Sequence, residues 1–367
     1  MPDLRLVNVK KGYRDVVALD GISLEIKDRE YLSIIGPSGC GKSTLLKCIA
    51  GIIKQDSGQI FIGDTEVTAL APEERRLGYM FQEIALFPHM SAWENVEYGP
   101  RVQGKSRELV RQFVGQIMEM TRLKIADDAY PSELSGGAGQ KTALARAIAA
   151  EPQLMLLDEP LGALDAHVRS VLRYELRRLV NELGLTAIHV THDQEEAMSI
   201  SDRLVIMKAA RVVEVGTPLE LYLSPKRLFT ANFLGEANFI PGIVRDCDSG
   251  RLTVSVNDWT VDLMGSGFAR NDRLVIVVRP ESVILTPASR QADQQWIGAV
   301  KEQVLLGDCI RTEVKLENGM HVIAEVPNEG LEPMRGVGDR VRVDFAEGGL
   351  IAYQFPAHGL DVELALE

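Results

Sequence analysis

Residues 36 to 43 read GPSGCGKS, and those residue types at that spacing suit one task, the holding of a phosphate chain. Gly36, Gly39 and Gly41 let backbone N–H groups turn inward, and Pro37, Ser38 and Cys40 fill the loop between them. Lys42 reaches the β and γ phosphates, Ser43 offers its hydroxyl to magnesium, and Thr44 is the last residue expected around the nucleotide. Cys40 reads as a small side chain that fits rather than as a redox switch. A second pair of groups stands at 158 and 159, where the run LMLLDEP closes on two acids. Asp158 is expected to hold magnesium, directly or through water. Glu159 is expected to orient and deprotonate an attacking water.

Both groups need elements to position them. YLSIIG (31 to 36), LMLLD (154 to 158) and TAIHVTH (186 to 192) read as buried strands, and STLLKCIAG after the glycine loop reads as a helix. VRSVLRYELRRLVNELG (168 to 184) has apolar residues at helical spacing and a terminal glycine, which predicts an amphipathic helix with its arginines on the solvated face. Short apolar runs alternate with helices up to about residue 235, the pattern of an α/β fold on a mainly parallel sheet whose carboxylates emerge at strand C-terminal ends. From 236 onward the pattern becomes short alternating segments such as RLTVSV, DRLVIVV and DRVRVDF, which predicts an all-β second domain over 236–367. NDRLVIVVRPE (271 to 281) and GDRVRVDFAEG (338 to 348) resemble each other and suggest a loose duplication into two small barrel-like halves.

Bulk properties narrow the classes. The chain has 367 residues, enough for two domains, with 46% hydrophobic and 25% charged residues. Its net charge of −12 argues against nonspecific nucleic-acid binding, which needs clustered cations, so no nucleic-acid partner is expected. Cys40, Cys48, Cys247 and Cys309 are too scattered for a metal cage or a disulfide framework. Neither a signal peptide nor a run of about 18 apolar residues is present, so any action at a membrane goes through a partner.

Between the two phosphate-related groups lies LSGGAGQK, residues 134 to 141, and here the sequence resembles the ATP-binding cassette (ABC) transporter ATPases. Tyr13, the loop at 36 to 43, Gln82 in MFQ, the signature from 134, LMLLDE, GALD at 162 to 165 and THD at 191 to 193 occur in the family's order over about residues 1 to 235. The resemblance implies a RecA-like P-loop NTPase core with a helical subdomain over about 87–153, followed by an OB/TOBE-type β regulatory domain. It implies ATP and Mg2+ as cofactors, Tyr13 stacked on adenine, and Gln82 contacting magnesium and the attacking water. It further implies His192 bridging to the γ phosphate and holding Glu159, and Asp165 spanning a dimer interface. His189 is left as a structural histidine. Gly162 stands where many relatives carry serine.

In that family the signature of one subunit completes the site of another, so ATP joins a head-to-tail homodimer. Ser135 would offer a hydroxyl to the γ phosphate, and Gly136 and Gly137 their backbone at a helix N-terminus. Many relatives read LSGGQQQR, whereas this chain has Ala138, Gly139 and Lys141. These departures predict a working but weakened interface, with loss of polar contacts at 138, a helix cost at 139 and loss of the planar arginine fork at 141.

The β tail is similar to the regulatory domain of importer ATPases, and ALFPHMSAWENV (85 to 96), with Phe87 and Met90, is similar to the region lining the coupling-helix groove. The implied protein is a peripheral ATPase on the cytoplasmic face of the cell membrane. It would work with separate transmembrane permease subunits and, through them, an extracytoplasmic solute-binding protein. ALFPHM and FLGEAN (233 to 238) favour a polyamine, ferric iron or oxyanion as solute. A sugar importer and a non-transporting regulatory ATP-binding protein remain as alternatives.

Overall fold

The computed structural model describes residues 3–123, 128–162, 164–257, 259–288, 296–328 and 335–365. It divides into two compact units, with the division between Leu221 and Tyr222.

The first unit begins with an antiparallel sheet of β1 (Leu4–Tyr13), β2 (Val16–Ile26), β4 (Ser57–Ile62) and β5 (Thr65–Glu66), in the order β2-β1-β4-β5. The central sheet holds β3 (Tyr31–Ile35), β6 (Leu77–Met80), β7 (Leu154–Asp158), β8 (Thr186–Val190), β9 (Arg203–Lys208) and β10 (Arg211–Gly216), in the order β10-β9-β3-β8-β7-β6. All neighbours are parallel except β10 with β9. Such strands are buried on both faces, and alternation divides their side chains between two cores. Leu154 and Leu156 join Leu45, Leu46 and Ile49 of α1 (Lys42–Ala50) and Leu4, Leu6 and Ile60 of the antiparallel sheet. Met155 and Leu157 face the opposite core, with Val96 of α2 (Ala92–Val102), Val110 and Val114 of α3 (Arg107–Met120), Leu144 and Ile148 of α4 (Gly136–Ala149), Leu176 of α5 (Ala166–Glu182) and Ile200 of α6 (Gln194–Ile200). The predicted strands at 31, 154 and 186 and the amphipathic helix fall on β3, β7, β8 and α5 with small shifts at their ends.

Helix starts follow the sequence. Ser91 accepts from the Glu94 N–H while Glu94 reaches back to Ser91, and Ser106, Ser135 and Asp165 cap α3, α4 and α5. Between β6 and α2, buried Asn95 donates to the carbonyls of Phe87, Met90 and Ser91, which fixes the loop carrying Phe87 and Met90.

The second unit contains two five-stranded antiparallel sheets. One is β13-β12-β11-β14-β20, made of β11 (Asn238–Asp248), β12 (Arg251–Val256), β13 (Trp259–Met264), β14 (Arg273–Val278) and β20 (Leu350–Gln354). The other is β15-β19-β16-β17-β18, made of β15 (Val283–Pro287), β16 (Ile297–Leu305), β17 (Cys309–Leu316), β18 (His321–Pro327) and β19 (Arg340–Phe345). The two similar segments contribute β14 and β19, one to each sheet. Two separate barrel-like halves are not what forms, because Ile240, Val254 and Ile276 share one core with Val300, Val314, Val322 and Val341.

The boundary also lies ahead of the expected residue 235. The division falls inside helix α7 (Pro218–Leu223), and α8 (Leu228–Phe233) belongs to the second unit. There Leu228 and Ala231 cover Val275 and Val277 of β14, together with Leu360 and Leu364 of α9 (Leu360–Leu364). Buried Arg279 donates to the carbonyls of Tyr222, Ala231, Gly235 and Glu236, which ties the FLGEAN segment to the β unit.

Candidate active site

Strands β3, β8, β7 and β6 run side by side, and their C-terminal ends deliver Lys42 and Ser43, His192, Asp158 and Glu159, and Gln82 to one edge of the central sheet. The glycine loop is shaped by backbone crowding. A Cβ at Gly36 would stand 2.2 Å from the Met207 carbonyl oxygen, and one at Gly41 would stand 2.2 Å from that of Ala18 at a φ of 104°. Only glycine fits either place. The buried Lys42 ammonium donates to the carbonyls of Gly36 at 2.8 Å and Pro37 at 2.9 Å, so it lies across the mouth of the loop. Cys40 is buried beneath it, and burial pushes its thiol up, as expected of a packing side chain.

Asp158 is 3% exposed and both its oxygens are engaged. Oδ1 accepts from the Ser43 hydroxyl at 2.8 Å and Oδ2 from the Tyr79 hydroxyl at 3.0 Å. The serine–aspartate pair supplies hard oxygen donors, which suit Mg2+. Among the described residues there is no cage of three or more His, Cys, Asp or Glu.

Glu159 is the junction of the remaining groups. Its Oε2 accepts from Gln82 Nε2 at 2.9 Å and lies 3.4 Å from His192 Nδ1. Its φ of 47° is unusual for a residue with a side chain, and its N–H is held by the Val190 carbonyl at 2.8 Å. β8 thus fixes the carboxylate through the backbone while the next loop offers His192. Gln82 meets Glu159 rather than the Ser43–Asp158 pair. A Cβ at Gly162 would stand 3.6 Å from Glu159 Oε2, an ordinary van der Waals contact, so the position also has room for the serine that many relatives carry.

Not all the expected residues gather here. Tyr13 ends β1 and is 44% exposed, and the Lys11 ammonium stands 5.4 Å from its ring centroid. Ser135, Gly136, Gly137 and Asp165 line a separate open groove of the first unit. Ser135 accepts from the Ala138 N–H at 3.3 Å, an interaction that uses a lone pair and leaves the hydroxyl proton to donate outward. His189 is fully buried, with Nδ1 3.1 Å from the Tyr31 hydroxyl, and burial holds it down to about 3, so it stays neutral and structural.

Lys141 is better placed than its departure from the family pattern implied. Its ammonium meets Glu175 of α5 at 2.9 Å, and Arg122 meets the other oxygen of Glu175 at 2.8 Å. A point charge satisfies that contact, so arginine at 141 gains no evident partner, and Lys141→Arg should leave turnover unchanged. Gly139 has room to grow, since an added Cβ would meet only Ile84 side-chain atoms at 3.6 and 3.7 Å. Gly139→Ala should therefore stabilise the fold by up to about 1 kcal/mol, read as a higher denaturant midpoint at constant slope.

Two residues escaped the sequence reading. Tyr79 sits in LGYM and Glu175 within the helix of 168 to 184, and neither belongs to a motif. In each case the partner is distant in sequence, and only strand or helix register brings the pair together.

Two family models match the sequence. The model described as ABC transporter matches residues 19–162, and that described as TOBE domain matches residues 276–352. The "Spermidine/putrescine import ATP-binding protein PotA" of Marinobacter nauticus is 39% identical, covering 94% of this chain and 93% of that protein. The "Fe(3+) ions import ATP-binding protein FbpC 1" of Rhizobium meliloti is 38% identical, covering 94% of this chain and 95% of that protein. Among solved structures, the dimeric post-hydrolysis state of the ATP-binding cassette MJ0796 bound to ADP and Pi matches at 33% identity. Its TM-score is 0.53, covering 59% of this chain and 98% of that one. Taken with the phosphate loop and paired carboxylates, these matches place the chain in the ABC transporter family, as an importer-type ATPase with a C-terminal TOBE domain.

Proposed function

We propose that this ATPase drives uptake of a polyamine through separate transmembrane permease subunits that receive the solute from an extracytoplasmic binding protein. The single observation that carries the catalytic part is the carboxylate of Glu159, which the Gln82 amide contacts and the His192 imidazole approaches at the end of the central sheet. A regulatory ATP binder has no need of a base oriented from two sides.

The groups divide the work. Gly36 to Thr44 wrap the phosphates, with the Lys42 ammonium turning from loop carbonyls to phosphate oxygens. Tyr13 stacks on the base. Ser43 and Asp158 hold Mg2+, which when bound neutralises phosphate charge, and Gln82 senses the same region. Glu159 accepts the proton of the attacking water, and His192 keeps the carboxylate in place and faces the γ phosphate. Ser135, Gly136, Gly137 and Asp165 act across a head-to-tail homodimer, on the nucleotide held by the other copy. Phe87 and Met90 line the groove for the permease.

Among the described residues no helix is long and apolar enough to cross a membrane, in keeping with a peripheral subunit at the cytoplasmic face. The solute reading rests on the polyamine importers among the relatives, and ferric iron is the second reading because one relative at 38% identity is an iron-import subunit. The experiment is reconstitution with permease subunits in liposomes. ATP hydrolysis should rise several-fold with binding protein loaded with spermidine or putrescine. A rise with ferric ion alone would move the assignment to iron, and no rise with either would remove both.

A further inference from the structure

Asp158 is buried, and a buried carboxylate needs a hydrogen-bond donor on each oxygen. Ser43 supplies one and Tyr79 the other. Parallel register sets Tyr79 of β6 beside Leu156 of β7, and alternation puts Leu156 and Asp158 on one face, so the phenol points along that face toward the strand end. Its ring packs against the core under the antiparallel sheet and lies 4.4 Å, centroid to centroid, from the Phe81 ring. The hydroxyl is therefore aimed by packing on two sides.

We infer that Tyr79 is a positioning residue for the metal site: its hydroxyl fixes the orientation of the Asp158 carboxylate, and so sets how strongly Mg2+ tightens nucleotide binding. This rests on Asp158 being the magnesium carboxylate. Tyr79 also stands three residues before Gln82, so the strand that leads into the glutamine contacting Glu159 is the strand that anchors Asp158.

The test is Tyr79→Phe, which keeps the ring and removes the one hydrogen bond. ADP affinity is measured by calorimetry with excess EDTA and again with Mg2+, for parent and variant. Affinity in EDTA should match within about twofold. The Mg2+-linked gain should fall by about tenfold, the scale of a hydrogen bond to a charged group. With ADP and Mn2+ in place of Mg2+, the electron paramagnetic resonance titration should show the same weakening. An equal metal-linked gain in both proteins overturns the role of Tyr79. A parent with no metal-linked gain overturns the metal assignment to Asp158 and the inference with it. A structural role alone would lower the melting temperature without moving the ratio of the two affinities.

Discussion

Glu159→Gln should lower ATP turnover by about 10²- to 10⁴-fold, the range for loss of a positioned general base, while ATP affinity stays within about twofold. The substitution is nearly isosteric, and the oxygen of the introduced amide can still accept from Gln82, so the geometry that surrounds Glu159 survives. What disappears is the acceptor for the proton of water. With hydrolysis blocked, ATP should accumulate between two copies, and gel filtration with ATP and Mg2+ should show a dimer that the parent holds only briefly. Parental turnover in the variant would remove Glu159 from its role.

Lys42→Ala should weaken ATP binding by about a hundredfold, equivalent to about 3 kcal/mol for loss of a charge-assisted contact. The ammonium is buried and contacts two loop carbonyls, so removing it also leaves Gly36 and Pro37 without that donor. A small loss of thermal stability should accompany the loss of affinity, and Lys42→Met, which keeps much of the stem volume, should recover part of the stability but none of the binding. Unchanged calorimetric affinity in both variants would contradict the phosphate cradle.

Much of this site is legible in the sequence because its chemistry is local. The glycine loop, the acids after LMLL and the histidine of THD each come at the end of a buried strand, and parallel strands bring their ends together whatever the loops between them do. The contacts that escaped are those set by register. Tyr79 reaches Asp158 across 79 positions, and Lys141 reaches Glu175 across 34. Alternation identified β14 and β19 without showing that one core joins their sheets, because it reports which residues turn inward and not against what. The domain boundary shifted for the same reason. Leu228 and Ala231 give α8 an apolar face, and periodicity does not say that the surface it covers is β14.

We propose a site shared head to tail between two copies, with Lys42 acting on the nucleotide of its own chain and Ser135 on that of the other. The most direct measurement is complementation, in which Lys42→Ala and Ser135→Ala proteins are assayed for ATP hydrolysis separately and after mixing. In a mixed dimer, the intact cradle of one chain meets the intact signature of the other, so the mixture should be several-fold more active than the mean of its components. The gain should vanish when the cradle-deficient partner also carries Ser135→Ala. A mixture no more active than that mean, at concentrations where the parent hydrolyses ATP, would contradict the shared site.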